Sequence, residues 1–230
     1  MRGTLQGTRG ITLKGLIIVI VILVAIVLLL RPIFVKMASD AVSAKCRANL
    51  RKIGMAMQQY ANDFNEFVPP VQWCNPQGET VPWRDCLKEF LGSDYPAVFA
   101  CAGKLGTNVG YAVNWQTFIW NKATTKKPTC VRLRDIKDPA RTIYALDAGK
   151  VTAETKNQSA DAWEETPEDA PNYCRVSTKD KYWAEDPVRP MPRHAKNVNC
   201  LMVNGSVKSY LVGDIIEPDE GSDACLWDAK

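Results

Sequence analysis

From Gly15 to Leu30 the chain runs sixteen residues without a charged or polar side chain. Counted from Ile11, and tolerating Lys14, the apolar zone reaches about twenty residues, enough to cross a bilayer as a helix. A secretory signal would be shorter and would end at once in a small-residue cleavage site. Here Arg31 and Pro32 follow, and the nearest small-residue fit, Val42-Ser43-Ala44, lies far downstream. The stretch is therefore not expected to be lost by ordinary signal cleavage. One membrane-length segment leaves about 165 residues, 66–230, for a single soluble domain with a core of its own.

The net charge is only +4 and is spread along the chain, which gives no support for nucleic-acid binding. There are eight cysteines but no Cys-x-x-Cys pair, and a single histidine, so zinc-finger spacing is absent. An even, dispersed set in a chain that enters a membrane points to an oxidising compartment with several disulfides. Cys74, Cys86, Cys101, Cys130, Cys174, Cys200 and Cys225 are the disulfide candidates, and their connectivity is open. Cys200 is either a buried thiol or half of a bridge, and Cys46 suits a small buried hydrophobe as well as a bridge. Basic residues flank both ends of the apolar run: Arg2, Arg9 and Lys14 before it, Arg31, Lys36, Lys45 and Arg47 after it. Charge alone does not orient the span. The cysteines do, placing the N-terminus in the cytoplasm and the body outside.

After Pro32 a helical stripe continues. Val42, Cys46, Leu50, Ile53, Met57, Tyr60 and Phe64 recur at steps of three and four, while Asp40, Ser43, Arg47, Arg51 and Asn62 lie off it. The pattern predicts one helix over 11–65, about 80 Å long at 1.5 Å per residue. Residues 11–33 would span the membrane and 34–65 would pack one face on a globular head. Pro32, lacking an N–H, is expected to kink or locally melt the helix where the halves meet.

From Glu66 the chain turns to prolines, tryptophans and turn residues. "GYAVNWQTFIW" (110–120) and "RTIYALDAG" (141–149) read as strands. In "RHAKNVNCLMVNGSVKSYLV" (193–212), Asn204-Gly205 divides two apolar runs and predicts a hairpin with a two-residue turn, both residues taking positive φ. Residues 150–192 read as a polar insertion whose Trp163, Tyr173 and Trp183 would either bind a sugar or protein or pack back onto the head. The acidic C-terminal stretch includes Asp219, Glu220 and Asp223, oxygen ligands of the kind calcium takes, but without EF-hand spacing; a solvated tail is the plainer reading.

Two sets of residues carry a family resemblance. "TRG" followed by "ITLKG" is a short basic leader ending in Gly10 and entering the apolar helix directly, and resembles the signal of type IV prepilins and type II secretion pseudopilins. His194, nine residues, then Asn204-Gly205 is similar to the motif of the prepilin-type His-x9-Asp-Gly proteins. "CRANLRKIGMAMQQYANDF", "VFACAG", "VGYAVN" and "LRDIKDPARTIYALDAG" follow that family's order along most of the chain. The resemblance implies an α+β, pilin-like fold with the long helix packed on an antiparallel sheet. It implies prepilin-peptidase cleavage between Gly10 and Ile11 with methylation of the new terminus. It also implies a structural role as a pseudopilin or pilin in the bacterial inner membrane. The head would be periplasmic, with filament or cell-surface exposure after assembly. Other pilins or pseudopilins, an assembly platform and, indirectly, its ATPase would be partners.

Gly15 stands where the family usually has glutamate, so the Ile11 amine would lack its usual carboxylate partner; a minor or tip subunit tolerates that best. No enzymatic activity and no cofactor are expected, since no nucleophile or acid–base pair is evident and Asn204 in place of aspartate suits a turn rather than a charge. The alternative is a membrane-anchored periplasmic module that binds a glycan or protein and never polymerises.

Overall fold

A computed structural model of the chain describes residues 13–74, 79–104, 109–118 and 131–228. Gly10, Ile11 and Cys130 lie outside these residues, as does the side chain of Cys74. The chain forms two units, one ending at Asp40 and the other running from Ala41 to Lys230.

The first unit is the N-terminal part of helix α1 (Leu13–Asp63), which continues through Pro32 without a break in its helical assignment. The expected local melting does not occur. Its large apolar side chains from Leu13 to Leu30 are 41–74 % exposed among the described residues. The helix is long and apolar enough to cross a membrane.

In the second unit α1 becomes the wall of a core. Cys46, Leu50, Ile53 and Met57 are fully buried, joined by Ala56 and Ala61. Phe64 ends the stripe exposed and stacks on Tyr60, ring centroids 4.3 Å apart. The helix closes where Asn65 takes φ 52° and the Glu66 N–H reaches back to the Ala61 carbonyl at 2.7 Å, a Schellman-type end.

Eight strands follow among the described residues. β1 (Gln72–Cys74) and β2 (Thr80–Pro82) make a small hairpin. The main sheet contains β3 (Tyr111–Asn114), β4 (Ile143–Lys150), β5 (Tyr173–Cys174), β6 (Val188–Pro190), β7 (Asn197–Met202) and β8 (Val207–Leu211). Its order is β5-β3-β4-β7-β8, with β6 pairing the far end of β4. All pairs are antiparallel except β3 with β5, so the sheet is mixed rather than purely antiparallel. Both β5 and β6 come from residues 150–192; this segment is stitched into the sheet.

Side chains alternate across the sheet. Tyr111, Val113, Ala145 and Leu201 pack under α1 with Trp83 and Phe99. Ala112, Leu146, Ala148, Val198, Cys200 and Met202 face the other way, onto Ile215, Ile216, Leu226 and Trp227. The expected strand over 110–120 stops at Asn114, and Trp115–Phe118 form a helical turn. Asn114 causes the break: its Oδ1 accepts the Gln116 N–H at 3.1 Å, while its Nδ2 donates to the carbonyls of Ile143 and Trp227.

The hairpin at Asn204-Gly205 forms, but with a different turn. Of the two, only Gly205 has positive φ (84°); its N–H donates to the Met202 carbonyl, and Met202 and Ser206 pair across Val203, Asn204 and Gly205. This is a three-residue loop with glycine at the left-handed position. Asn204 Oδ1 accepts from the Ser206 N–H and hydroxyl, which supplies the turn chemistry.

Candidate functional site

Four residues far apart in sequence meet between α1 and the sheet. α1 presents Cys46, and the loop after the turn Ala97–Phe99 presents Cys101. Their sulfurs lie 2.8 Å apart, and Cys101 Sγ is 3.6 Å from His194 Nε2. The two sulfurs and a His194 ring nitrogen all fall within 4.8 Å of one another. His194 Nε2 also lies 3.3 Å from Asp147 Oδ2, which accepts the Asn199 N–H at 2.8 Å. All four are buried, and the Tyr111 hydroxyl closes one side by donating to the Cys46 carbonyl.

Strand alternation explains why Asp147 is here. It sits two residues beyond Ala145 on β4, paired across from Tyr111, and so shares their helix-facing side. His194 is held by a tight reversal: it exchanges both backbone hydrogen bonds with Asn197 around Ala195 and Lys196, which take φ 49° and 70°. Neither is glycine, so the turn stores strain that the surrounding contacts support.

A second buried layer beside the site carries further charge. Arg193 donates to Glu165 through Nε at 2.8 Å and through Nη2, and to the carbonyls of Gly110 and Ala148. Lys104 Nζ donates to the same Glu165 at 2.7 Å. Burial opposes charge on both Arg193 and Glu165, yet their pairing prevails: the guanidinium is raised above its ordinary value and the carboxyl lowered below its own.

In the dithiol form, hydrogen bonding from Cys101 brings the Cys46 thiol down to about 3; burial opposes this, while His194 and Tyr111 assist. Cys101 is raised as the partner that keeps its proton. Burial works against charge on His194, but Asp147 and the Cys46 sulfur outweigh it and raise the imidazole to about 9. The reduced site is thus a thiolate–imidazolium pair backed by a carboxylate.

This composition is that of a Cys–His–Asp triad, but the geometry is not. Cys101 and Asp147 both approach Nε2, so the ring does not relay a proton from sulfur to carboxylate through its two nitrogens. A shared metal ion fits no better. Two thiolates on a tetrahedral zinc with bonds of about 2.3 Å stand about 3.8 Å apart, and these sulfurs are 2.8 Å apart.

The His-x9-Asn-Gly motif becomes two contacts on α1. At one end His194 meets Cys46; at the other, the Asn204 carbonyl accepts from Gln58 Nε2 at 2.8 Å and Gly205 lies against Gly54. A β-carbon on Gly54 would stand 2.7 Å from Leu201 Cδ1 and 3.3 Å from the Gly205 Cα, so close approach requires glycine there.

Among the described residues, Cys46, Cys86, Cys101, Cys174, Cys200 and Cys225 are thiols, and only the Cys46–Cys101 pair brings its sulfurs together. Burial pushes Cys86 up to about 11 and Cys174 and Cys200 upward as well. The acidic candidates are dispersed: Asp219 faces Lys179 at 3.6 Å, Glu220 lines a groove beside Trp115, and Asp223 receives Arg141 on its backbone carbonyl. Trp163, Tyr173 and Trp183 fold back, while Tyr182 stays exposed. The rings of Trp163 and Trp183 lie 6.2 Å apart, buried Arg189 stacks on Trp183, and Tyr173 donates to Asp186. Asp147, Glu165, Arg193 and Lys104 escaped the sequence reading. The one local signal was a lone carboxylate inside the apolar strand "IYALDAG".

Compared with known proteins, the chain matches no family model, no curated protein and no solved structure.

Proposed function

We propose that the chain is a structural, pilin-like subunit of a type II secretion pseudopilus or a related type IV filament, stored in the bacterial inner membrane and processed after Gly10. The supporting observation is the division of α1. Its first half exposes an unbroken apolar surface, and its second half buries Cys46, Leu50, Ile53 and Met57 as the wall of the head's core. Apolar surface of that extent is stable only in lipid or against like helices, at roughly 25 cal/mol per Å² removed from water. Removing the leader takes Arg2 and Arg9 off a segment that would otherwise carry them into a helix bundle. Gly15 in place of the family's glutamate suits a minor or tip position.

The alternative, a tethered binding module, is favoured by one feature: a groove of about 500 Å³ lined by Trp115, Arg175, Tyr182 and Trp227. N-terminal sequencing and intact mass of the protein from its native membrane separate the two. The pilin reading expects methylated Ile11 at the terminus, and a Gly10→Val chain that keeps its first ten residues. A wild-type chain beginning at Met1 overturns it and leaves the tethered module.

A further inference from the structure

We propose that Cys46 and Cys101 are joined as a disulfide in the mature protein, covalently stapling the long helix to the head, with His194 and Asp147 as the built-in site that drives its formation. The pair joins α1 to the loop that precedes β3, so the bond would tie together two parts of the head that otherwise meet through packing, the Asn49 hydrogen bond to the Ala100 carbonyl and the exposed Lys52–Asp94 ion pair. The sulfurs are too close to be two ligands of one ion and are already in contact. No other described cysteine has such a partner.

The co-reactant is an external disulfide, of the kind a thiol-oxidising protein or small-molecule carrier supplies. The Cys46 thiolate attacks one sulfur of that disulfide, forming a mixed disulfide and expelling one thiolate, which takes the proton of the His194 imidazolium. The Cys101 sulfur then attacks Cys46 Sγ as its own proton passes to the second leaving sulfur. Two protein thiols are oxidised, one external disulfide is reduced to two thiols, and both released protons are accounted for.

Charge closes in either state. Reduced, the buried groups around the sulfur pair are Lys104, Arg193 and the His194 imidazolium against Glu165, Asp147 and the Cys46 thiolate. Oxidised, the thiolate and the imidazolium proton disappear together, leaving neutral His194 beside Asp147. A groove of about 410 Å³ between α1 and the loop, lined by Lys45, Asn49, Lys52, Asp94 and Cys101, leads from solvent to the Cys101 side of the pair. That is the side from which the carrier would approach; the attacking Cys46 is 0 % exposed and Cys101 2 % exposed, so exchange belongs to the last stage of folding, before α1 and the loop have fully closed.

The test uses the full chain from its native membrane, denatured and alkylated without reductant, digested and mapped by mass spectrometry, with bound zinc measured before denaturation. The expected result is one cross-linked species containing the Cys46 and Cys101 peptides. Reduction then separates it with a gain of two hydrogens. Alkylation of both residues without prior reduction overturns the proposal, as does pairing of Cys46 with a different cysteine. One equivalent of zinc accompanied by two alkylatable thiols overturns it in favour of a metal site. The outcome is independent of the N-terminal residue, so it does not stand or fall with leader cleavage.

Discussion

At the scale of single residues, the strained reversal and the titrating pair make separate predictions. Ala195 is exposed and holds φ 49° with no side-chain role, so Ala195→Gly is expected to stabilise the head by about 1 kcal/mol, measured by urea unfolding. The pH dependence of the reduced protein follows from two opposite shifts. His194 is raised from 6.5 to about 9, so its contribution is complete below pH 6.5 and is lost as pH rises through 9. Cys46 is lowered from 9.0 to about 3, so its contribution is present above pH 9 and is lost as pH falls through 3. Between pH 6.5 and 9 the two slopes oppose, and reduced wild type is expected to show nearly flat stability there. Cys46→Ala removes one slope and the sulfur's share of the His194 shift, while Asp147 still raises the imidazole, so the urea midpoint should fall as pH rises above 6.5. A flat profile in that variant would show that Asp147 without the Cys46 sulfur does not raise the imidazole.

At the scale of elements, the contact between α1 and the hairpin tip is the most sensitive join. Gly54→Val would drive two methyls into Leu201 and the Gly205 backbone, with an expected cost of about 2–3 kcal/mol. Met55→Ala, one residue along but 58 % exposed, should stay within about 0.5 kcal/mol and serves as the control. Leu50→Ala, at the centre of the stripe and fully buried, is expected to cost about 2–5 kcal/mol. These elements were largely legible in the sequence because their signals are local. A stripe at steps of three and four needs only the helix's own period, and Asn-Gly between apolar runs announces a reversal. The turn class was not legible. Gly205 alone takes positive φ, because the tip must also rest on Gln58 and Gly54, which lie about 150 residues earlier in the chain.

At the scale of the whole molecule, the proposed staple predicts measurable behaviour. A bond across the 55 residues from Cys46 to Cys101 restricts the unfolded chain by about 4 kcal/mol in the loop-entropy picture. Reduction is therefore expected to lower the melting temperature of the detergent-solubilised protein by about 10 °C, read by the near-ultraviolet signal of its buried tryptophans. The sequence by itself determined the long helix, its exposed apolar half, its buried stripe and the hairpin, since each depends on neighbours within a few turns or strand residues. It did not determine that residues 150–192 enter the sheet. β5 and β6 are only two and three residues long, and β5 pairs in parallel with a distant strand, so no local period marks them. Nor did it determine the site. Cys46, Cys101, Asp147 and His194 come from a helix, a loop, a strand and a strained turn, and only closure of the head on α1 brings them together. Tertiary packing decided that chemistry: burial and a shared low-dielectric space turn four unremarkable residues into a coupled group of charges, and neither is written in any local stretch of chain.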